Sequence, residues 1–211
     1  MFITFEGPDG SGKSTQLTLL ADWLRGHGMN VLVTREPGGT AIGDRVRAIL
    51  LDPLCKEMVA EAEVLLYSAA RAQHVGEVIQ PQLARGGAVL CDRFADSSMA
   101  YQGYGRGLDL DTLAVITRFA TSGLRPDLIV YLDIAVEAGL RRKMLYANDD
   151  ASQWNRIEQE ARAFHERVRE GYLTMAAADP ARWLLVDADQ PVDAVQASVR
   201  ERVGAFLRLP A

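Results

Sequence analysis

The chain of 211 residues has little of what staples small folds or binds transition metals. It holds two cysteines, Cys55 and Cys91, and three histidines, His27, His74 and His165. They form no CxxC pair and no Cys/His set, which excludes a disulfide framework and a structural zinc site. A Ser/His/Asp or Cys/His arrangement for covalent catalysis is also missing. No stretch approaches the roughly 18 apolar residues of a membrane-spanning helix. The first residues lack a charged segment followed by an apolar run and a cleavage site. These absences lead to the expectation of a cytoplasmic protein without a membrane partner. Acidic residues number 28 against 23 lysines and arginines, for a net charge of −5. The densest basic group is Arg141-Arg142-Lys143, so the basic stripe of a nucleic-acid-binding surface is absent. There is no internal repeat and no low-complexity tract. An acidic total does not exclude a nucleotide ligand, which needs only a local positive pocket.

What is present is a regular alternation. Residues 2–5, 30–34, 88–91, 128–132 and 183–186 read as short apolar strands. Helical periodicity covers 13–25, 40–51, 57–85 and 192–207, with Gly26 and Gly28 fitting the end of the first helix. Helices of this length between strands imply right-handed crossovers and a parallel sheet. The spacing therefore predicts one α/β domain over residues 1–211, a three-layer sandwich whose five-stranded parallel sheet carries helices on both faces. In such sheets ligands sit beyond the carboxyl ends of the strands. The polar stretch 147–153 is the candidate loop.

The motifs fall at those strand ends. Gly7-Pro8-Asp9-Gly10-Ser11-Gly12-Lys13-Ser14 matches G-x-x-x-x-G-K-[ST], the phosphate-binding P-loop, between a strand and an amphipathic helix. Its glycines let successive N–H groups surround a phosphate, and the helix N-terminus adds partial positive charge. Lys13 is placed to reach the β- and γ-phosphates of ATP, and the Ser14 hydroxyl to coordinate Mg²⁺. The third strand ends in Asp92, the form of a second magnesium-side carboxylate. Asp133 ends the fourth strand in the same way, but Arg93 follows Asp92, which pairs an anion-binding guanidinium with the carboxylate. No Asn-Lys-x-Asp guanine reader and no Leu-Ser-Gly-Gly-Gln transporter signature is present. Arg35, Arg71 and Arg93 lie where a second phosphate or a base could be held. In the apolar surroundings of Arg71, a structural ion pair competes with a ligand-anchoring role.

Over nearly its whole length the chain resembles the bacterial thymidylate kinase family. The resemblance rests on residues 5–15 around the P-loop, Thr34-Arg35-Glu36-Pro37-Gly38-Gly39-Thr40, Ala69-Ala70-Arg71, Asp92-Arg93-Phe94, residues 97–103 (Ser97 to Gly103), Arg125-Pro126-Asp127-Leu128, Tyr131-Leu132-Asp133 and Asn155-Arg156-Ile157-Glu158. It implies a kinase with ATP and dTMP as ligands, Mg²⁺ as cofactor, and a homodimer packed through the long helix 57–85. It implies that Gly7 to Thr15 cradle ATP, that Tyr67 stacks on thymine, that Arg71, Ser98 and Gln102 read the base, and that Pro37 lines its pocket. Tyr101 would sit near the sugar, Arg35 and Arg93 near the acceptor phosphate, and Asp9 near both. Residues 187–191 would cup adenine.

The family places a catalytic basic residue in the middle of the P-loop or in a lid. Here the loop holds Gly10, and residues 145–154 of the expected lid, about 143–156, contain no basic side chain. Arg141, Arg142, Lys143 and Arg156 flank it, and Arg142 and Arg156 are the expected carriers of that role, Arg142 also stacking on adenine. Asn155 replaces the usual acid. Two other readings remain open: another nucleotide kinase on the same fold, and a P-loop protein that binds ATP without catalysis. Tyr67, Arg71 and Gln102 speak against the first, and intact Lys13, Ser14 and Asp92 against the second.

Overall fold

The computed structural model describes residues 1–146 and 155–208; the candidate loop 147–153 lies outside the described residues. The strands are β1 (Phe2–Glu6), β2 (Val31–Arg35), β3 (Ala88–Asp92), β4 (Leu128–Asp133) and β5 (Trp183–Asp187). They form one parallel sheet in the order β2-β3-β1-β4-β5. The helices are α1 (Lys13–Gly26), α2 (Ala41–Leu51), α3 (Ala60–His74), α4 (Gln80–Ala84), α5 (Ala95–Ser98), α6 (Leu110–Ala120), α7 (Val136–Tyr146), α8 (Arg162–Ala178) and α9 (Val192–Leu207).

Alternation along the strands divides the core between the two faces of the sheet. Ile3, Phe5, Leu90, Leu128, Val130 and Leu132 pack with Leu17, Leu20 and Leu24 of α1 and Val195, Val199 and Val203 of α9. On the other face Ile129 and Tyr131 meet Phe164, Val168 and Tyr172 of α8, while Phe2, Val89 and Cys91 meet Val75, Ile79 and Phe94. Strands covered on both faces read as continuous apolar runs, which is why they stood out in the sequence. All five end one residue later than the sequence suggested, and in four the added residue is an acid: Glu6, Asp92, Asp133 and Asp187, with Arg35 ending β2.

The helix expected over 57–85 is interrupted. α3 ends at His74, a π-helical turn occupies Val75–Ile79, and α4 follows. Pro81 near the start of α4 supplies no N–H and its ring crowds the preceding turn, so the ladder widens there. A second π-helical turn, Met99–Gly105, follows α5 and carries Tyr101 and Gln102.

β1 is central, and its neighbours β3 and β4 connect to opposite sides of the sheet. The crevice at this reversal, beyond Glu6 and Asp92, is where a ligand is expected in an open parallel sheet. Leu20 is fully buried where α1 packs on that central strand. Leu20→Ala should cost about 2–5 kcal/mol in urea-denaturation stability.

Candidate active site

A cavity of about 480 Å³ opens at the carboxyl edge of the sheet. At one end it is lined by Asp9, Gly10, Gly12, Lys13, Ser14 and Thr15, and at the other by Pro37, Tyr67, Arg71, Ser98, Tyr101 and Gln102. Arg35, Asp92 and Arg93 line the stretch between them. The sequence-predicted residues Gly7, Pro8 and Ser11 belong to the same loop without lining the cavity. Arg142 and Arg156 do not line it either.

The loop follows β1 directly. Gly7, Gly10 and Gly12 have φ of 143°, 79° and 88°, angles that a side chain resists. α1 then opens on Gly12 with no side-chain cap and no acid in its first turn, which leaves its N-terminal N–H groups to an anion. Lys13 is buried and folds back, Nζ donating to the carbonyls of Gly7 at 3.0 Å and Pro8 at 2.9 Å. Burial and the neighbouring Arg93 lower its pKa.

The Ser14 hydroxyl donates to Asp92 Oδ2 at 2.8 Å. A hydroxyl and a carboxylate at the mouth of a phosphate loop are a hard-oxygen pair, which suits Mg²⁺ completed by phosphate oxygens and water. The other candidate, Asp133, is instead held by Arg169 in two bonds of 2.7 Å.

Arg93 is the pivot of the middle stretch. Its backbone is left-handed at φ 69°, and its N–H donates to Phe5 O at 2.9 Å. The guanidinium donates to Asp9 Oδ1 at 2.9 Å and lies 5.0 Å from the centre of the Tyr101 ring. Burial alone would raise the pKa of Asp9, but Arg93, Lys13 and Lys143 hold its carboxyl well below the usual carboxylate range. Beneath this pair, buried Glu6 accepts from Phe94 N at 2.8 Å, Ser97 Oγ at 2.6 Å and Tyr172 OH at 2.7 Å. Burial, with Asp96 adding to it, pushes the Glu6 carboxyl up to about 7.

At the far end Arg71 is 1% exposed and bonds Glu36 at 2.7 Å, Ser98 Oγ at 2.9 Å and Phe94 O at 3.0 Å. The structural reading of Arg71 holds, since it forms a buried ion pair, and the side chain also lines the cavity. A guanidinium has five N–H donors, so two remain after these three bonds. His74, wedged between Glu36 and Thr34, completes the cluster and has no metal partner among the described residues. Gln102 donates its amide to Glu63 Oε1 at 2.7 Å, which leaves its carbonyl oxygen as an acceptor.

Arg142 and Arg156 are committed elsewhere. Arg142 donates to Ala188 O at 2.7 Å and Asp189 Oδ1 at 2.9 Å, against the loop expected to cup adenine. Arg156, 8% exposed, donates to Leu50 O at 3.1 Å and Glu63 Oε2 at 2.5 Å. Glu63 and Arg47 were missed, and Lys143 was named only as one of the basic residues flanking the expected lid. Glu63, fully buried, also receives Arg106 at 3.0 Å; it stands one helical turn before Tyr67 and two before Arg71, a spacing that marks one face of α3. Arg47 lines the cavity and donates to Pro37 O at 2.9 Å, and Lys143 lines it beside Glu158. Neither Arg47 nor Lys143 lies in a motif.

Known proteins resemble this one closely. The family model described as thymidylate kinase matches residues 5–199. A thymidylate kinase of Roseiflexus sp. (strain RS-1) is 51% identical over 98% of this chain and 93% of its own. One from Pseudomonas savastanoi pv. phaseolicola (strain 1448A / Race 6) is 52% identical over 99% and 97%. The crystal structure of thymidylate kinase from Ehrlichia chaffeensis superposes with a TM-score of 0.76 at 32% identity, covering 96% of this chain and 98% of that one.

Glu6 generates a prediction about stability. Its folded-state pKa of about 7 exceeds the ordinary 4.5, so the folded state keeps a proton that the unfolded chain releases. Its contribution to stability is therefore fully present below pH 4.5 and is lost as pH rises to about 7. Glu6→Gln should flatten the fall in Tm across that window, and thermal melts at a series of pH values check it.

Proposed function

This chain belongs to the thymidylate kinase family, and from that premise we propose how it converts dTMP to dTDP with magnesium and ATP. One observation carries the reading: the phosphate loop and the base-reading side chains line a single cavity. ATP enters with its β- and γ-phosphates on residues 7–15 and its adenine beside Arg142 and residues 188–189. dTMP enters from the opposite end. Tyr67 supplies an aromatic face for thymine. Arg71 offers its remaining N–H groups to a base carbonyl, and the Gln102 carbonyl accepts the adjacent base N–H. A base with the reverse pattern would leave these buried groups unpaired, which is a strong basis for discrimination. Ser98 acts here by holding Arg71, and Pro37 and Tyr101 wall the base and sugar.

The acceptor phosphate is already anionic, so the attacking oxygen needs no general base. Asp9, held ionised by Arg93, serves as a positioning carboxylate, and Arg93 and Arg35 hold the acceptor phosphate. Lys13 leaves the loop carbonyls for the phosphates of ATP. Ser14 and Asp92 would hold Mg²⁺, which neutralises charge on the β- and γ-oxygens. The protein's work is alignment and charge stabilisation.

The same reading extends to assembly and location. Leu65 of α3 and Val115 and Phe119 of α6 are 57%, 58% and 88% exposed on two helices that pack together. An apolar surface of this kind suits a homodimer in which α3 and α6 face their copies. A cytoplasmic location matches the supply of both substrates. No nucleic-acid or membrane partner is required, and among the described residues no helix is long and apolar enough to cross a membrane.

An ADP-release assay with dTMP, dUMP, CMP, UMP, GMP and AMP tests the chemistry. Strong preference for dTMP is expected; preference for another monophosphate would overturn the roles of Tyr67, Arg71 and Gln102. Lys13→Ala should lower kcat by at least ~10²-fold. Phe119→Asp should shift the mass seen by sedimentation from dimer to monomer.

A further inference from the structure

We propose that Glu63 is a specificity-determining positioning residue: it fixes the Gln102 amide so that only the amide oxygen faces the cavity, and so selects a pyrimidine ring that carries an N–H over one that carries a bare ring nitrogen. The proposal deepens the kinase reading above and rests on it.

The argument begins with a carboxylate behind the cavity wall. Glu63 is fully buried in the first turn of α3 and does not itself line the cavity. Its two oxygens are divided between two tasks. Oε2 accepts from Arg106 at 3.0 Å and from Arg156 at 2.5 Å. Oε1 accepts from Gln102 Nε2 at 2.7 Å, with Arg106 Nε further off at 3.3 Å. Burial favours a neutral Glu63, but the bonds from Arg106, Gln102 and Arg156 outweigh it and lower the pKa. An ionised carboxylate only accepts hydrogen bonds, so the part of the Gln102 amide that faces it must be the NH₂.

The backbone that carries Gln102 is equally fixed. It lies in the π-helical turn Met99–Gly105, whose glycines press against neighbouring helices. A Cβ on Gly103 would lie 2.5 Å from Leu110 Cδ2 of α6, and one on Gly105 would lie 2.6 Å from Phe164 Cε2 of α8. Gln102 is 2% exposed, and it lines the cavity. Turning its amide over would set its oxygen against a carboxylate oxygen with no proton between them, a costly arrangement in a buried site.

The consequence is chemical. In thymine or uracil the ring nitrogen between the two carbonyls carries the proton that the Gln102 oxygen accepts. In cytosine that nitrogen is bare, and the same oxygen meets a lone pair. The discrimination comes from repulsion, since the two rings have nearly the same shape.

The test measures kcat/KM for dTMP and dCMP in the wild type, Glu63→Gln, Gln102→Leu, and an exchange variant that combines Glu63→Gln with Gln102→Glu. In Glu63→Gln the new amide keeps an oxygen for the two arginines and presents an N–H where Oε1 stood, so Gln102 bonds in either orientation. The ratio of dTMP to dCMP should then fall at least about tenfold, with KM for ATP nearly unchanged. Arg71 still opposes the cytosine amino group, so the preference weakens without reversing. The exchange variant again pairs one carboxylate with one amide and returns an acceptor to the cavity. It should recover most of the ratio, which a merely structural loss at Glu63 would not do. A ratio kept in Glu63→Gln but lost in Gln102→Leu overturns this proposal alone. So does an exchange variant that regains stability without regaining the ratio. A ratio that Gln102→Leu leaves unchanged removes Gln102 from base reading and takes the proposal with it, and a wild type inactive on dTMP overturns the kinase reading as well. NMR of the unliganded wild type gives a readout independent of how the variants fold. The Gln102 side-chain amide protons should exchange slowly with solvent, and rapid exchange overturns the fixed orientation.

Discussion

Between β1 and β3 the ladder pairs Phe5 with Asp92, so Glu6 and Arg93 are the first residues beyond it. The Arg93 N–H closes on Phe5 O, and Phe94 N closes on the Glu6 carboxylate. These bonds seal the end of the two central strands and send the chain in two directions. From β1 it turns into the phosphate loop; from β3 it turns through the left-handed Arg93 into α5. A slip of one residue would exchange the faces of every side chain on β3. Asp92 would then leave Ser14, and Arg93 would leave Asp9. The geometry of the phosphate end depends on that register, which in turn depends on the apolar residues alternating on both sides of the sheet.

The opposite end of the cavity is built by a different device. Two buried carboxylates, Glu36 and Glu63, each organise a group of cations and amides. Glu36 holds Arg71 and His74; Glu63 holds Gln102, Arg106 and Arg156. Burying such charges is costly, and removing one partner would leave the other stranded. What the arrangement provides is orientation. Arg71 cannot swing away from three fixed acceptors, and Gln102 cannot flip its amide without facing its oxygen to a carboxylate. A ligand entering this end would meet donors and an acceptor already aimed, with little reorganisation left to do. Arg156 ties residues 155–158 to the same carboxylate that fixes Gln102.

The sequence made visible whatever is written in adjacent residues. Strands buried on both faces, the glycine spacing of the loop, and an acid at the end of β3 could all be read in order along the chain. Lys13, Ser14, Asp92, Arg93, Arg71 and Gln102 come together in space as their motifs implied. Less legible was whatever depends on distant contacts. The π-helical turns follow from where Pro81 and the Met99–Gly105 segment must pack, not from periodicity. Arg47 and Glu63 sit on ordinary amphipathic helices and gain their meaning only from α2 and α3 facing the cavity. Arg142 and Arg156 stood out in sequence as the expected carriers of catalytic charge, with Lys143 named only beside them. Which of them turns inward is decided by Ala188, Leu50 and Glu63, residues 46, 106 and 93 positions away from the arginines that bond them.

The charges of the cavity show what kind of catalyst this fold makes. Asp9 accepts from Arg93 and lies 3.9 Å from Lys13, and the surrounding cations keep it ionised despite burial. Such a carboxylate is a weak proton acceptor, so its depressed pKa argues against general-base chemistry at this position. Glu6 shows the opposite shift, but it lies behind Arg93 and spends its oxygens on Ser97, Tyr172 and Phe94. Neither carboxyl is arranged to move a proton to or from a substrate. Both fix the orientation of Arg93, one from the solvent side and one, through Ser97 and Tyr172, from the core. Phosphoryl transfer asks for little covalent help and much fixed charge. A rigid guanidinium held from two sides, facing a loop of N–H groups, meets that demand without any side chain changing its protonation state.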